Sequence, residues 1–431
     1  MAEAQMIPEV RDTEIERLLR EYAQPILRAA GQEKGRIRVR IVRSEVFNAF
    51  VIDGRSIYVH TGLLVQAKSP NQVIGVLAHE VGHIANGHLA ALRDRIQRDQ
   101  TKSLLIKLLG IGLLIAGGTS GSAGTSSSGS AVLSGGDEIL LRSLLAERRS
   151  QESSADQSGL KYLFATRQSG RGMLETFEFF AQQEYVSDQY KDPFVRSHPV
   201  AAERLARLRD AVMASPFYGV TDPPALQLRH DLMRAKISGY LERMQIVFNK
   251  YPRTDTSLPA RYARAIATFL GSGLDPALPL VDELIREKPD NPYFLEVKGD
   301  FYARSGKAAL AVEPLRRSLK LAGDAPLIRT RLAEALLALE DPRFYPEILD
   351  LMRKTIIEDP DPRAYRAFAL VNYKLGRRPQ AELATAEAYF LEGDFKQAQT
   401  FARRAQAGLR NGESDWLRAN EIVTFKAVAG Q

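Results

Sequence analysis

The chain has 431 residues, among them 59 lysine and arginine, 52 aspartate and glutamate and six histidine residues, and it has no cysteine. The hydrophobic fraction of 45% and the charged fraction of 26% exclude collagen-like, wholly disordered and polytopic membrane proteins, and the length predicts two or three domains. A net charge of +7 without a lysine- or arginine-rich block disfavours a nucleic-acid-binding protein. Without cysteine, a metal site has to use histidine, aspartate and glutamate.

The N-terminal segment MAEAQMIPEVRDTEIERLLR contains no apolar stretch behind a basic start, so the sequence as given predicts no signal peptide. Two locations are compatible with this prediction. The protein is either cytoplasmic, or it is an exported form from which the signal has been removed.

The first elements predict a small α+β domain. A capping box formed by Thr13 and Glu16 begins a helix with its apolar side chains on one face. Arginine alternates with isoleucine and valine over Arg36–Val42, which predicts a half-exposed strand. Two further strands, Phe47–Ile52 and Ser56–His60, are predicted to be joined by a hairpin turn at Asp53-Gly54.

Two longer helices follow in this domain. The first begins after Ser69, which is placed to cap it, with Pro70 at the first helical position, and it carries LAHEVGHIANGH (77–88). The second is predicted from about Leu140 to Tyr162 and carries RRSQESSADQSG (148–159).

An apolar run lies between these helices. Leu104–Ala116 is too short to span a bilayer, so it predicts a buried, re-entrant or interface-lying helix. Packing as a core or lid helix is favoured, and peripheral membrane contact through 104–116 is the alternative. Glycine and serine dominate 117–136, so residues 103–136 together predict a tethered lid or loop.

Strand signals end near Leu258, and internal similarity begins. Pro292, Pro326 and Pro362 are spaced 34 and 36 residues apart, with helix pairs between them. Glycine is followed five residues later by alanine in three turns: Gly306/Ala311, Gly376/Ala381 and Gly393/Ala398. This pattern resembles tetratricopeptide repeats and predicts a repeat domain over 251–431, although an ordinary helical domain remains the alternative.

The segment His79-Glu80-Val81-Gly82-His83 has the form H-E-x-x-H. Residues four apart share one face of a helix, so His79 and His83 can reach the same metal ion. Two neutral imidazoles at this spacing suit zinc, and Glu80 is placed to take a proton from metal-bound water. The sequence therefore predicts a zinc hydrolase with one ion per chain.

The third zinc ligand is expected on the second long helix. The metzincin extension fails, because Asn86 and Leu89 occupy its glycine and histidine positions. An E-x-x-x-D pair further along supplies Glu152 as the third ligand and Asp156 as a hydrogen-bond acceptor for a ligating histidine. Asp137, Glu138 and Glu147 are competing carboxylates that do not form such a pair.

Four segments are similar to those of HtpX/BepA-type zinc metallopeptidases, gluzincins related to the CAAX prenyl proteases, and occur in that family's order. They are NAFVIDGRSIYVHTGLL (48–64), LAHEVGHIANGH (77–88), SQESSADQSG (150–159) and RSHPVAAERL (196–205). The resemblance implies a peptidase domain over 1–250. A repeat domain behind it resembles the periplasmic BepA branch in particular. The predicted fold is an α+β zincin-type metallopeptidase domain followed by an all-α tetratricopeptide-repeat solenoid.

The resemblance also implies a role for His198. A His-Pro loop in the BepA branch places its histidine over the zinc, and His198-Pro199 matches that position. His198 is therefore expected to be a regulatory fourth ligand or a transition-state stabiliser, unless it is only a histidine in an exposed loop.

The predicted strand around Asn48, Ala49 and Phe50 is a candidate edge on which an extended substrate could pair through its backbone. The remaining histidines are expected to be bystanders: His60 and His230 as structural or surface residues, and His88 because helical geometry would turn it away from the metal.

Two functions of different class follow. The first is a zinc-dependent endopeptidase acting on unfolded or misassembled envelope proteins, in outer-membrane protein quality control, with its repeats binding a client or partner. The alternative is a repeat-based chaperone or adaptor whose zinc site is closed and largely inactive. A membrane-associated peptidase docking through 104–116 is a weaker third reading. The resemblance alone implies a periplasmic location.

Overall fold

The computed structural model describes residues 8–33, 37–52, 54–91, 135–181, 198 and 202–426, and describes side chains in the helix that begins at Gly135 only from residue 146 onward. The chain forms two compact units, Met1–Ser238 and Gly239–Gln431. The domain boundary expected after residue 250 stays a prediction. The apolar segment 104–116 and most of the expected lid or loop lie outside the described residues.

A small sheet forms one layer of the first unit. Its strands are β1 (Glu9–Val10), β2 (Arg38–Val42), β3 (Ala49–Val51) and β4 (Ser56–His60). Their spatial order is β1-β2-β4-β3, with β2 and β4 parallel and the other pairs antiparallel. The β3–β4 hairpin confirms the predicted pair of strands, with Gly54 at a φ of +71° after the undescribed Asp53. β3 is therefore an edge strand.

Helices cover this sheet and build the rest of the first unit. They are α1 (Thr13–Ala29), α2 (Thr61–Gln66), α3 (Pro70–Ala85), α4 (Gly135–Ala165), α5 (Arg171–Ala181) and α6 (Ala202–Met213), followed by α7 (Pro224–Leu241). The cap of α3 is as predicted, since Ser69 accepts a hydrogen bond from the Gln72 amide and Pro70 begins the helix. The cap of α1 was misassigned: Asp12, not Thr13, accepts the hydrogen bond from Ile15.

Glycines allow α3 and α4 to pack backbone against backbone. A Cβ atom on Gly82 of α3 would lie 2.7 Å from the Ala155 carbonyl oxygen of α4. A Cβ atom on Gly159 of α4 would lie 3.2 Å from the backbone of Ala78 and His79. This close approach sets the distance between the helix that carries H-E-x-x-H and the helix that carries Glu152.

His60 and His230 are buried in the first unit as neutral rings. His230 Nε2 donates to the Ala67 carbonyl oxygen at 2.9 Å, and Nδ1 lies 3.2 Å from the Tyr22 hydroxyl. Burial lowers the pKa of both histidines to about 4. The prediction that they are structural fits these positions.

Acidification is expected to destabilise the first unit. An unfolded histidine takes up its proton near pH 6.5, whereas the buried rings do so only near pH 4, so each costs about 1 kcal/mol between pH 6 and pH 5. Amide hydrogen exchange of α1 measures this loss. In His230→Gln, the pH dependence of the free energy of unfolding should lose about half of the part that the two histidines contribute. An unchanged slope would mean that His230 titrates as it does in the unfolded chain.

The second unit is all helical. It contains α8 (Met244–Lys250), α9 (Leu258–Ser272), α10 (Leu274–Glu287), α11 (Pro292–Arg304), α12 (Ala308–Leu321), α13 (Pro326–Leu337), α14 (Tyr345–Glu358), α15 (Pro362–Lys374), α16 (Arg378–Leu391), α17 (Phe395–Gly408) and α18 (Ser414–Thr424). Consecutive helices pack as hairpins, which confirms the predicted repeat solenoid.

Proline marks helix starts and glycine marks turns in this unit, as the sequence predicts. Pro292, Pro326 and Pro362 each occupy the first position of a helix. Gly376 and Gly393 both adopt left-handed turns, with φ of +73° and +78°, and only α16 lies between them. α16 is therefore the second helix of one glycine-turn pair and the first of the next, which explains the irregular repeat spacing. In the part of the chain that is described, no helix has the length and apolar character needed to span a membrane.

Candidate metal centre

α3 brings His79 and His83 to the same side of the helix. Their Nε2 atoms lie 3.1 Å apart, and the His79 side chain is fully buried while that of His83 retains 15% of its exposure. The predicted pairing of the two histidines on one helical face is what the geometry shows.

α4 adds Glu152 to this pair. Its Oε2 atom lies 3.3 Å from His79 Nε2, and its Oε1 atom lies 3.5 Å from His83 Nε2. His198 points its Nδ1 atom at the same place, 3.2 Å from both His79 Nε2 and Glu152 Oε2. One donor atom from each of these four residues lies within 4.8 Å of the others, and in the described residues no other such group of histidines and carboxylates occurs.

Glu80 faces the cluster from α3. Its Oε1 atom lies 3.4 Å from His198 Nε2, and no described residue donates a hydrogen bond to it. Burial raises the pKa of Glu80, against the opposing effect of His198 and His79. A buried carboxylate with a raised pKa, next to a metal-binding cluster, is suited to accepting and returning a proton.

Asp156 and Arg204 form a buried ion pair behind the cluster. Asp156 Oδ1 lies 3.0 Å from His79 Nδ1, within hydrogen-bonding reach. Arg204, from α6, donates to both oxygens of Asp156 at 2.7 and 2.9 Å, and its Nη1 atom lies 3.2 Å from Glu152 Oε2. Asp156 lies beside His79, and its role as a hydrogen-bond acceptor for a ligating histidine stays a prediction. Arg204 was not predicted from the sequence. Its only sequence signal is its position six residues after His198.

Of the three competing carboxylates, only the side chain of Glu147 lies in the described residues, and it is not part of the cluster. Glu147 accepts a hydrogen bond from Gln151 and is not among the clustered donors. The side chains of Asp137 and Glu138 lie outside the described residues.

The electrostatics of the cluster favour a positive charge. Burial alone would lower the pKa of His79, but the carboxylates of Asp156 and Glu152 outweigh it and raise this pKa to about 10. Burial lowers the pKa of His83. Although burial opposes it, the neighbouring His198 and His83 hold the pKa of Glu152 well below its usual range. The cluster thus keeps Glu152 ionised and favours a positive charge beside it.

His88 contacts the opposite edge of the His83 ring. α3 ends at Ala85, and Gly87 follows in a left-handed conformation with φ of +67°. His88 Nδ1 therefore lies 2.9 Å from His83 Nδ1. The expectation that His88 is a bystander assumed that the helix continues, and the early helix end overturns that assumption.

The candidate substrate strand lies beside α3. Among the residues that the structure describes, β3 pairs only with β4, and α3 packs against it. Asn48 and Ala49 are buried, whereas Phe50 is half-buried and stacks on Tyr58. Ala49 and Phe50 thus lie in a strand that α3 contacts, and Asn48 directly precedes it. Their use as a substrate edge stays a prediction.

Residues 9–212 match Peptidase family M48. These residues form an M48 metallopeptidase domain. Related proteins cover most of the chain: a beta-barrel assembly-enhancing protease from Yersinia pestis is 24% identical over 383 residues, 88% of this chain and 76% of that protein. The protein of the same name from Escherichia coli K12 is 23% identical over 421 residues, 95% of this chain and 82% of that one.

Two further similarities cover only part of the chain. Metalloprotease LoiP from Escherichia coli K12 is 28% identical over 199 residues, 45% of this chain and 72% of that protein. The solved structure of MamA MSR-1 C2 is 22% identical and covers 38% of this chain and 93% of its own, with a TM-score of 0.32. The M48 domain therefore has relatives among metalloproteases.

The donor set of the M48 domain fits a tetrahedral zinc ion. A neutral His79 with its proton on Nδ1, where Asp156 Oδ1 lies 3.0 Å away, would direct its Nε2 lone pair into the cluster. Glu152 directs further lone pairs to the same place, so this donor set could hold a cation. A tetrahedral ion with bonds of about 2.1 Å separates its ligands by about 3.4 Å. Five of the donor separations, each measured to the nearer Glu152 oxygen where Glu152 is involved, are 3.1 to 3.5 Å, and all four donors lie within 4.8 Å of one another.

Arg204 is expected to stabilise the M48 domain strongly. Arg204→Met leaves Asp156 and Glu152 buried without this cation, so the free energy of unfolding should fall by about 3–5 kcal/mol. The matched control is Arg209→Met in the same helix, whose half-exposed side chain bonds to Glu178 and whose loss should cost under about 1 kcal/mol. Denaturant unfolding measures both, and equal losses in the two variants would contradict the expectation.

Proposed function

We propose that the chain is a zinc-dependent endopeptidase that acts on proteins, with one zinc ion held by His79, His83 and Glu152. The observation that carries this proposal is the convergence of these donors beside Glu80 in a buried cluster. Bound zinc would polarise the scissile carbonyl and lower the pKa of its water. Glu80 would accept the proton of that water at its carboxylate and return it to the leaving amine.

The surrounding residues orient this machinery. Asp156 holds the His79 proton at Nδ1, which leaves Nε2 free as a ligand. Arg204 compensates the charges of Asp156 and Glu152 and fixes the carboxylates relative to α6. These contacts support a preorganised site rather than one that assembles only on substrate binding.

His198 is proposed to hold the site closed. Its Nδ1 atom occupies the cluster while its Nε2 atom faces Glu80, so one ring blocks both the fourth ligand position and the proton acceptor. Displacement of this ring would admit water and substrate. The other role considered for His198, stabilising the transition state, predicts the opposite effect of its removal.

Substrate is proposed to bind along β3. An extended peptide can add to the edge of a sheet through backbone hydrogen bonds, which gives affinity without strict sequence preference. Asn48, Ala49 and Phe50 would then place the peptide beside α3 and its histidines. Such recognition suits unfolded or misassembled clients.

The second unit is proposed to bind a protein client or partner. Neighbouring helices α11, α13 and α15 carry a ladder of ion pairs, with Arg331 bonded to Asp300 at 2.7 Å and Arg363 bonded to Glu334 at 2.9 Å. A cavity of about 280 Å³ opens among these charges. This surface can match polar and charged groups of another protein.

The relatives suggest where this activity is used. Because two of them are named beta-barrel assembly-enhancing proteases, we infer that the clients are outer-membrane proteins and that the protein works in the periplasm. Peripheral membrane contact through 104–116 stays the weaker alternative to a core or lid helix.

A chaperone or adaptor with a closed zinc site is the second candidate. The four converging donors favour it, because structural zinc sites are closed by four protein ligands. Purified protein with quantified zinc, incubated with an unfolded outer-membrane protein, separates the two functions. Cleavage that stops when a chelator removes zinc supports the peptidase. One equivalent of zinc without cleavage, even in His198→Ala, supports the chaperone.

A further inference from the structure

His88 links the end of α3 to α4 through a chain of hydrogen bonds. Its Nδ1 atom lies 2.9 Å from His83 Nδ1, and its Nε2 atom lies 3.0 Å from the Ser154 hydroxyl. That hydroxyl donates in turn to the Gln151 carbonyl oxygen at 3.0 Å. None of these atoms belongs to the four-donor cluster.

The direction of every proton in this chain follows from His83. Its Nε2 atom faces His79 and Glu152, so a ring that binds metal there carries its proton on Nδ1. His88 Nδ1 must then be the acceptor, which places the proton of His88 on Nε2. That proton is donated to Ser154, and the serine proton goes to the backbone carbonyl. When His83 binds metal through Nε2 and both rings are neutral, this is the only arrangement in which each donor has one acceptor.

The local backbone is built to bring His88 back to His83. The left-handed Gly87 forms a turn directly after α3. A Cβ atom there would be in open space, so a glycine is needed for this backbone conformation and not for close packing. Asn86 fastens the same turn to α4 through a 3.1 Å hydrogen bond from its amide to the Ser158 hydroxyl.

We propose that His88 is a positioning residue for the zinc ligand His83: it accepts the Nδ1 proton and thereby keeps Nε2 free and oriented to bind zinc. The inference rests on the proposed zinc peptidase function. It parallels the contact between Asp156 and His79, but with a neutral acceptor. His88 therefore orients its ligand without adding a negative charge beside Glu152.

The first test is zinc affinity of the full chain, measured by chelator competition. His88→Phe keeps the size of the ring but removes the acceptor, and zinc binding is expected to weaken about 10- to 100-fold. His88→Gln, which restores an acceptor oxygen, should recover most of the affinity. Asn86→Ala is the matched control, because it loosens the same turn without touching His83, and it should bind zinc nearly as the unaltered protein does.

The second test reads the tautomers directly in the unaltered, zinc-loaded protein. Nitrogen-15 correlation spectra of the imidazoles should show His83 protonated at Nδ1 and His88 protonated at Nε2. A His83 proton at Nε2, or His88→Phe with unchanged zinc affinity, overturns the role of His88 while the peptidase proposal stands. If the unaltered protein binds no zinc, both proposals fail. A His88→Phe variant that does not fold leaves the spectra and His88→Gln to decide.

Discussion

Glu80→Gln is expected to lower kcat for cleavage of an unfolded protein by about 10²- to 10⁴-fold. The amide is nearly the same size as the carboxylate but cannot accept the proton of the attacking water. Glu80 is not a donor in the cluster, so the variant should still bind one equivalent of zinc. Steady-state kinetics with zinc quantified in the same sample measure this effect.

Glu147→Gln is the matched control for this variant. It changes a carboxylate of α4 that lies outside the cluster and accepts a hydrogen bond from Gln151, so cleavage should be unchanged. If Glu80→Gln cleaved as fast as Glu147→Gln, another group would be the base. A loss of zinc in Glu80→Gln would instead assign Glu80 a role in holding the metal.

His198→Ala is expected to raise the rate of cleavage. The ring fills the fourth position of the cluster and faces Glu80 within 3.4 Å, so the structure represents a closed site. If the open form is a minor state of about 0.1–10%, removing the ring should increase the rate about 10- to 1000-fold. Zinc should remain bound, since three of the four donors are intact.

The combination with Glu80→Gln controls for a contaminating protease. The double variant should be as inactive as Glu80→Gln alone, because an open site cannot hydrolyse the peptide when no base accepts the proton of the attacking water. A rate that falls in His198→Ala, with zinc still bound, would assign this ring to transition-state stabilisation and would contradict its role as a closing ligand.

The helix that carries H-E-x-x-H was predictable because its signals are local. Ser69 and Pro70 mark the start of α3, and the four-residue spacing of His79 and His83 fixes their common face. Glu152 and Asp156 were predictable as a pair for the same reason. Glycines that let α4 approach α3 then determine the actual distance between donors, and the sequence does not show which glycines meet which backbone.

The partners of Arg204 and His88 could not be predicted from local sequence signals. The partners of Arg204 lie 48 and 52 positions earlier in the chain. An arginine on an amphipathic helix is usually solvent-exposed, so the low exposed fraction of Arg204, 6%, depends on tertiary packing. His88 was placed by assuming one continuous helix. A single left-handed glycine changed its direction and its partner.

The second unit contains one feature that local sequence signals predicted and one that they did not. Proline at the first position of a helix and glycine at a left-handed turn are local conformational preferences, so Pro292, Pro326 and Pro362 located helix starts correctly. The use of α16 by two successive glycine turns was not foreseen, because pairing between helices depends on packing rather than on local signals.

Anomalous diffraction at the zinc edge from crystals of the purified protein tests the central claim most directly. We expect one peak per chain, about 2.0–2.2 Å from His79 Nε2, His83 Nε2 and an oxygen of Glu152. A peak at any other place, or no peak in protein supplied with zinc, would contradict the zinc site from which the proposed catalysis follows.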